Sequence, residues 1–265
     1  HGQRMRTARI GVIEHDADVA AIAQLPGVEA SGCSTILPLS GTNSDSSFAI
    51  EGRPSSKDAP SPDEERREVS PDYFRALETP LIKGRFFTNA DNADAPLVII
   101  VNQAFAKKFW PNEDALGKRI VMGGMSDDPK WITIVGIVGD MRHFGLDVDP
   151  KPEMYVPFAQ SAYFSTIYVV RSNQDPRTLV PAIQREIQAI DPALPLANVR
   201  TFENVAIFTK RPRARRPGAR LGSRYFLGPI VSVSMTRVTP LVSFAMATAR
   251  ARPACDRTVP FSVTT

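Results

Sequence analysis

Four carboxylates, Asp63, Glu64, Glu65 and Glu68, crowd against Arg66 and Arg67 in one short run. Paired carboxylates are what general acid–base chemistry uses, but splitting their pKa values takes burial. Nothing apolar surrounds this run before Val69, so it reads as a solvated, charged loop. Asp127-Asp128, following Gly123-Gly124, offers oxygen ligands to a hard cation. The alternating oxygens and closing Glu of a calcium loop are missing, and a polar hairpin tip fits better. Gly27-Val28-Glu29-Ala30-Ser31-Gly32-Cys33-Ser34 has the glycine spacing of a phosphate loop, with Cys33 where a lysine would have to neutralise the outer phosphates. A helix stop at Pro26-Gly27 followed by a strand accounts for the same residues. The histidines are His1, His15 and His143, none with a second histidine at i+4 and none beside a nucleophile motif. A triad can assemble across distance. The residues nonetheless assign no catalytic, cofactor-binding or metal-ligating position and call for no cofactor, and the chain reads as not an enzyme.

The chain that must position these groups has 265 residues and is 43% hydrophobic, enough for one large core or two modest ones. Cys33 and Cys255 lie too far apart to suggest a disulfide framework or a paired metal site. No charged n-region followed by an apolar h-region opens the sequence, and no uninterrupted apolar run approaches the ~18 residues of a membrane span. As it stands the sequence reads as a soluble piece. Its net charge of +4 conceals two unlike parts. Residues 207–265 carry eleven Lys and Arg against the single acid Asp256, whereas residues 1–206 carry 21 basic and 27 acidic groups.

Local pattern places the elements. Asp16 to Leu25 reads as a short helix capped by Asp16, with Val19, Ile22 and Ala23 on one face. Val28 to Thr35 and Phe48 to Ile50 read as strands, separated by a polar turn over 41–47. Arg53 to Glu65 reads as a loop. Ser70-Pro71 introduces a helix over Asp72 to Leu77. Pro96 to Val101 reads as a strand, and Asn102 caps a helix to Phe109 that sets Phe105 and Phe109 on one face. Strands are expected at Arg119–Met122, Trp131–Val138, Met154–Val156 and Thr166–Val170, with Gly123-Gly124 turning between the first two. Asp175-Pro176 opens a helix whose stripe is Leu179, Ile183, Ile187 and Ile190, and Ala197–Thr201 returns as a strand. Phe86, Phe87, Phe105, Phe109, Trp110 and Trp131 read as core rather than ligand-stacking residues.

Several pieces in a fixed order carry a resemblance. They are Val69-Ser70-Pro71-Asp72-Tyr73-Phe74, Gly84-Arg85-Phe86-Phe87, Val98-Ile99-Ile100-Val101-Asn102 and Ala115-Leu116-Gly117-Lys118-Arg119-Ile120. Ile134-Val135-Gly136-Ile137-Val138-Gly139-Asp140 and Met154-Tyr155-Val156-Pro157 complete the series. Together they resemble the MacB-like periplasmic core domain of FtsX-type ABC transporter permeases, over roughly residues 20–205. The resemblance implies an α+β fold: a porter-like subdomain of two βαβ-like units, with an inserted β-rich second lobe at about 84–157. It implies residence at the cell membrane, facing the periplasm or the cell exterior, between two transmembrane helices. A separate cytoplasmic ABC ATPase would be its partner through the transmembrane part. Force would pass to an envelope partner protein or to a substrate such as a lipid, a peptide or a small toxic compound. No binding role is carried onto Arg85 or Lys118; their motifs read as a glycine turn followed by a basic residue and apolar β positions.

Residues 1–206 are therefore expected to form the domain and 207–265 a basic, Pro/Arg-rich tail without a stable fold. The prolines at 212, 217, 229, 240, 253 and 260 interrupt helix and strand alike. Arg224, Pro229, Arg237 and Pro240 make a membrane span over 221–249 unfavourable, where the resemblance would place one. A departure of the reading frame near Ile207 to Pro212 accounts for this composition. The alternative is a free-standing binding module whose basic run Lys210-Arg211-Pro212-Arg213-Ala214-Arg215-Arg216 contacts nucleic acid or anionic lipid. An unrecognised hydrolase is a third possibility. No specific nucleic acid is expected as partner on the first reading.

Overall fold

The computed structural model describes residues 13–53, 61–145, 147–161, 165–190, 192, 197–201 and 230–236. In chain order the elements are α1 (Ile13–Ala23), β1 (Val28–Ser34), β2 (Asp45–Ile50), β3 (Asp63–Val69) and α2 (Tyr73–Ala76). These are followed by β4 (Leu81–Gly84), β5 (Val98–Asn102), α3 (Gln103–Phe109), β6 (Arg119–Met122), β7 (Ile132–Val138) and β8 (Glu153–Pro157). The series ends with β9 (Ser165–Ser172), α4 (Pro176–Ile190), β10 (Ala197–Thr201) and β11 (Ile230–Thr236). Helices and strands alternate irregularly and most strand pairs are antiparallel, an α+β arrangement.

Strand pairing closes a ring. β3 pairs antiparallel with β2, β2 with β6, and β6 with β7. β7 runs parallel to β5, β5 antiparallel to β8, and β8 returns parallel to β3. Closure leaves no free edge among these strands. One apolar cluster draws on β2, β5, β6, β7 and β8 together with α3, through Phe48, Ile99, Ile120, Ile134, Met154 and Phe105. The ring takes in β2 and β3, so it begins well before residue 84.

From β3 the pairing passes to β1 (Ser34↔Val69) and on through β9, β11 and β10. Helices α1 and α4 cover this second sheet with Val19, Ile22, Leu179, Ile183 and Ile187, which pack on Cys33, Tyr168 and Val170. The segments around 20–50 and 160–205 thus meet directly, through β1 and β9. Ile190, the last member of the predicted α4 stripe, is 37% exposed because the helix ends there.

Three local expectations differ. α1 already begins at Ile13, so Asp16 lies within the helix and is not its cap. The charged run does not lie in a loop: Asp63–Val69 is β3, a strand paired on both sides. Finally, Ile230–Thr236 lies within the expected structureless tail, yet it pairs with β9 over seven residues, Ile230↔Arg171 to Thr236↔Ser165. An alternating Val/Ser pattern suits a strand, and β9 offers an edge to receive it. The basic run 210–216 and the prolines at 212, 217, 229, 240, 253 and 260 lie outside the described residues.

Candidate functional site

Parallel pairing of β3 with β8 aligns Glu65 with Glu153 and Arg67 with Tyr155. The two-residue period of strands then puts all four side chains on one face. All four are buried, Arg67, Glu153 and Tyr155 completely. Arg67 Nη2 lies 3.4 Å from Glu65 Oε2 and 3.9 Å from Glu153 Oε1. The Tyr155 hydroxyl donates to Glu153 Oε2. His143, from the segment between β7 and β8, places Nε2 3.2 Å from that same oxygen and is only 4% exposed. At the rim, Lys151 reaches Glu65 Oε1 at 3.4 Å and sits 4.0 Å above the Phe144 ring.

The opposite face of β3 is charged as well. Lys108 from α3 donates to Glu64, and Arg66 Nη2 lies 2.9 Å from Glu68 Oε1. The Thr35 hydroxyl donates to Glu68 Oε2 at 2.9 Å, and Arg66 Nη2 donates to Ser161 Oγ at 3.0 Å. The expectation of a solvated charge cluster is thereby corrected: Glu64, Glu65, Arg67 and Glu68 are buried. Their burial is tolerable because each carboxylate meets a cation or a hydroxyl. Arg66 and Arg67 stand two residues from Glu68 and Glu65, but Thr35, Lys108 and Lys151 lie 33 to 86 residues from the carboxylates they meet, and no local pattern reveals them.

Burial sets the protonation tendencies. It pushes the Tyr155 hydroxyl well above its ordinary range, with the Glu153 charge adding to the effect, and it raises Tyr73 despite the nearby Arg67. His143 is held below its usual value first by burial, against the pull of Glu153 and with help from Arg67. At neutral pH the imidazole is therefore uncharged. Asp140 is raised by burial, though its carboxylate accepts from the Ala104 amide.

Asn102 fastens this cluster to its scaffold. It ends β5, and its Oδ1 accepts from the amides of Phe105 and Glu153, both at 2.9 Å. Its Nδ2 donates to the Lys151 carbonyl at 2.8 Å. The predicted α3 cap is present, and it also fixes the start of β8.

A second feature lies apart from this cluster. An open groove of about 530 Å³ runs between α2 and β4, lined in part by Phe74, Arg75, Glu78, Pro80, Phe86 and Phe87. Beside it, Leu81 and Ile82 are exposed. The Gly84-Arg85-Phe86-Phe87 motif makes a glycine turn followed by an ion-paired arginine. Gly84 has φ +78°, and Arg85 grips Asp91 with two bonds of 2.7 Å. Lys118 pairs with Glu113 at 2.6 Å on the surface.

Asp127 and Asp128 lie in a turn after Gly124, and Gly27–Ser34 is the stop of α1 followed by β1. Among the described residues no three His, Cys, Asp or Glu side chains are grouped to hold a metal. His143 does meet a carboxylate, which i+4 spacing could not reveal; ten residues and a reversal of the chain separate it from Glu153. What the cluster can do is hold charge in place: it binds β3, β8 and the 139–152 segment at fixed register.

The profile of MacB-like periplasmic core domains matches residues 4–190. The chain belongs to that family of extracytoplasmic domains of ABC transporter permeases. It is similar in structure to the periplasmic region of MacB from Actinobacillus actinomycetemcomitans, with 14% identity, 71% of this chain and 80% of that one covered, and a TM-score of 0.46. It is also similar to a domain of a putative permease from Porphyromonas gingivalis, with 21% identity, 64% and 68% covered, and a TM-score of 0.43. A third similar structure is the extracellular domain of the noncanonic ABC-type transporter YknZ from Gram-positive bacteria, with 15% identity, 65% and 79% covered, and a TM-score of 0.42. No curated protein sequence matches the chain. No helix among the described residues is long and apolar enough to cross a membrane.

Proposed function

We propose that this domain relays conformational change in an ABC transporter permease. A separate cytoplasmic ATPase supplies the drive, and the domain passes the movement to an envelope partner or substrate. On this reading the β1–β9–β11–β10 sheet with α1 and α4 is the porter-like subdomain, and the strand ring is the β-rich second lobe. The domain carries out no chemistry of its own.

One observation carries the proposal: β3 pairs with β1, β2 and β8 at once. A single strand thus belongs to both sheets, and its charges are locked on either face. Displacement of one sheet is transmitted to the other through β3 itself and its hydrogen bonds to the end of β1, Thr35 N–H to the Glu68 carbonyl and Ser70 N–H to the Cys33 carbonyl, rather than through a flexible linker. The basic-tail module has no comparable support, since its run at 210–216 lies outside the described residues.

Hydrogen exchange on the membrane-embedded permease with its ATPase tests the relay. Protection of the β3 and β8 amides is expected to change between nucleotide-free and ATP-bound states. Identical exchange across this domain in both states would remove the reading.

A further inference from the structure

His143 occupies an unusual position for a histidine. Its side chain is buried against Glu153, and its backbone carbonyl accepts the Leu39 amide at 2.8 Å. Leu39 itself holds a positive φ of 63°, a costly conformation for a residue with a Cβ. His143 thus ties its segment to the turn after β1, beside Met141, which packs on the cluster of Leu37 and Leu39, and it carries a titratable ring.

The surroundings offer a new positive charge little room. β3 presents Arg67 and Glu65, β8 presents Glu153 and Tyr155, and α2 presents Tyr73. The segment's own charged groups are Asp140, which faces Glu153, Lys151, which pairs with Glu65, Arg142, which donates to the Val148 carbonyl, and the exposed Asp147 and Asp149. The turn after β1 brings only the apolar Leu37 and Leu39. Glu153, the one anion in contact with the ring, is already engaged by the Tyr155 hydroxyl and lies 3.9 Å from Arg67. A proton on His143 therefore enters a site whose counter-charge is shared.

We infer that His143 makes this domain acid-responsive, its protonation releasing the 139–152 segment from Leu39 and loosening the β3–β8 seam. An extracytoplasmic domain meets the pH of its surroundings directly, so such a latch would report external acidity to the strand common to both sheets. The inference concerns the latch and holds whether or not the domain relays force.

The direction of the pH effect follows from linkage. The folded imidazole titrates below its ordinary value of 6.5, so the unfolded chain binds the proton first. The stability it contributes is complete above that ordinary value and is lost as pH falls through the folded one. One proton is involved, so the folding equilibrium constant falls by at most tenfold per pH unit in that window. Asp140, raised by burial, titrates with the opposite sign. Comparison with a variant isolates the histidine.

The test is NMR on the whole chain, in which the imidazole signal absent from His143→Gln identifies His143. Its midpoint is expected below 6.5, and the Leu39 amide should lose protection, after correction for intrinsic exchange, as pH falls through that same midpoint. His143→Gln should keep that protection. If the variant does not fold, the wild-type amide shifts of Leu39, Arg67 and Glu153 must still follow the His143 midpoint. A midpoint at or above 6.5, or a Leu39 amide unaffected through the titration, overturns the inference.

Discussion

Asn102 Oδ1 accepts from the amides of both Phe105 and Glu153 at 2.9 Å, so one side chain starts α3 and anchors β8. Asn102→Ala is expected to cost roughly 3 kcal/mol, combining a lost cap of ~1 kcal/mol with buried amides left unpaired. Asn102→Asp keeps both acceptor bonds and should cost less. Urea unfolding of the two variants checks the order; equal losses would show that the acceptor bonds contribute little.

Gly136 faces Gly84 across the β4–β7 pair, and a Cβ on Gly136 would stand 2.3 Å from the Arg85 carbonyl oxygen. Backbone must move to admit it. Gly136→Ala should therefore destabilise by about 2–4 kcal/mol, as overpacking against main chain does. A Cβ on Gly123 would meet nothing within 4 Å, although its φ is +83°. Gly123→Ala should accordingly cost only ~1 kcal/mol from its conformation. Thermal melts of the pair would expose the error if the two lost the same amount.

Arg67 and Glu153 are both fully buried and 3.9 Å apart. Arg67→Met leaves two carboxylates without their shared cation, an expected loss of about 3–5 kcal/mol. Combining it with Glu153→Gln should recover part of that loss. A double-mutant cycle with no coupling energy would show that the pair does not interact across the seam.

Ile183 is fully buried in the α4 interface whereas Ile190 is 37% exposed. Ile183→Asp buries an unpaired charge and should cost several kcal/mol, while Ile190→Asp should fall within ~0.5 kcal/mol of the parent. Denaturant midpoints decide; a normal midpoint for Ile183→Asp would mean that α4 is not docked on the sheet.

The strand Ile230–Thr236 fills the edge of β9 between it and β10. Ending the chain after residue 211 removes that strand and is expected to lower the melting temperature by several degrees, with ΔΔG on the order of 1–3 kcal/mol. An unchanged melt would mean that the strand adds no stability and that the tail is dispensable, as composition alone suggests.

Repeating local signals made most elements legible in the sequence. β5 is a β-branched run, α4 announces itself by Asp175-Pro176 and the Leu179–Ile183–Ile187 stripe, and Asn102 caps α3 as its position implies. Such features depend on neighbours within a few residues, where chain geometry sets who meets whom. The family pattern from Val69 to Pro157 was legible for the same reason: glycines at tight approaches and apolar β positions leave marks in order along the chain. The charge cluster was not. Asp63–Val69 looks like solvent-exposed loop in isolation; the parallel register with Glu153–Pro157 covers it, and Lys108, Lys151 and the Thr35 hydroxyl, all distant in sequence, meet its carboxylates. The ring closure, the latch from His143 to Leu39 and the pairing of β11 with β9 rest likewise on contacts between residues far apart in sequence. Those contacts form through hydrogen bonds and desolvated charge, interactions whose strength depends on the surroundings the whole fold creates.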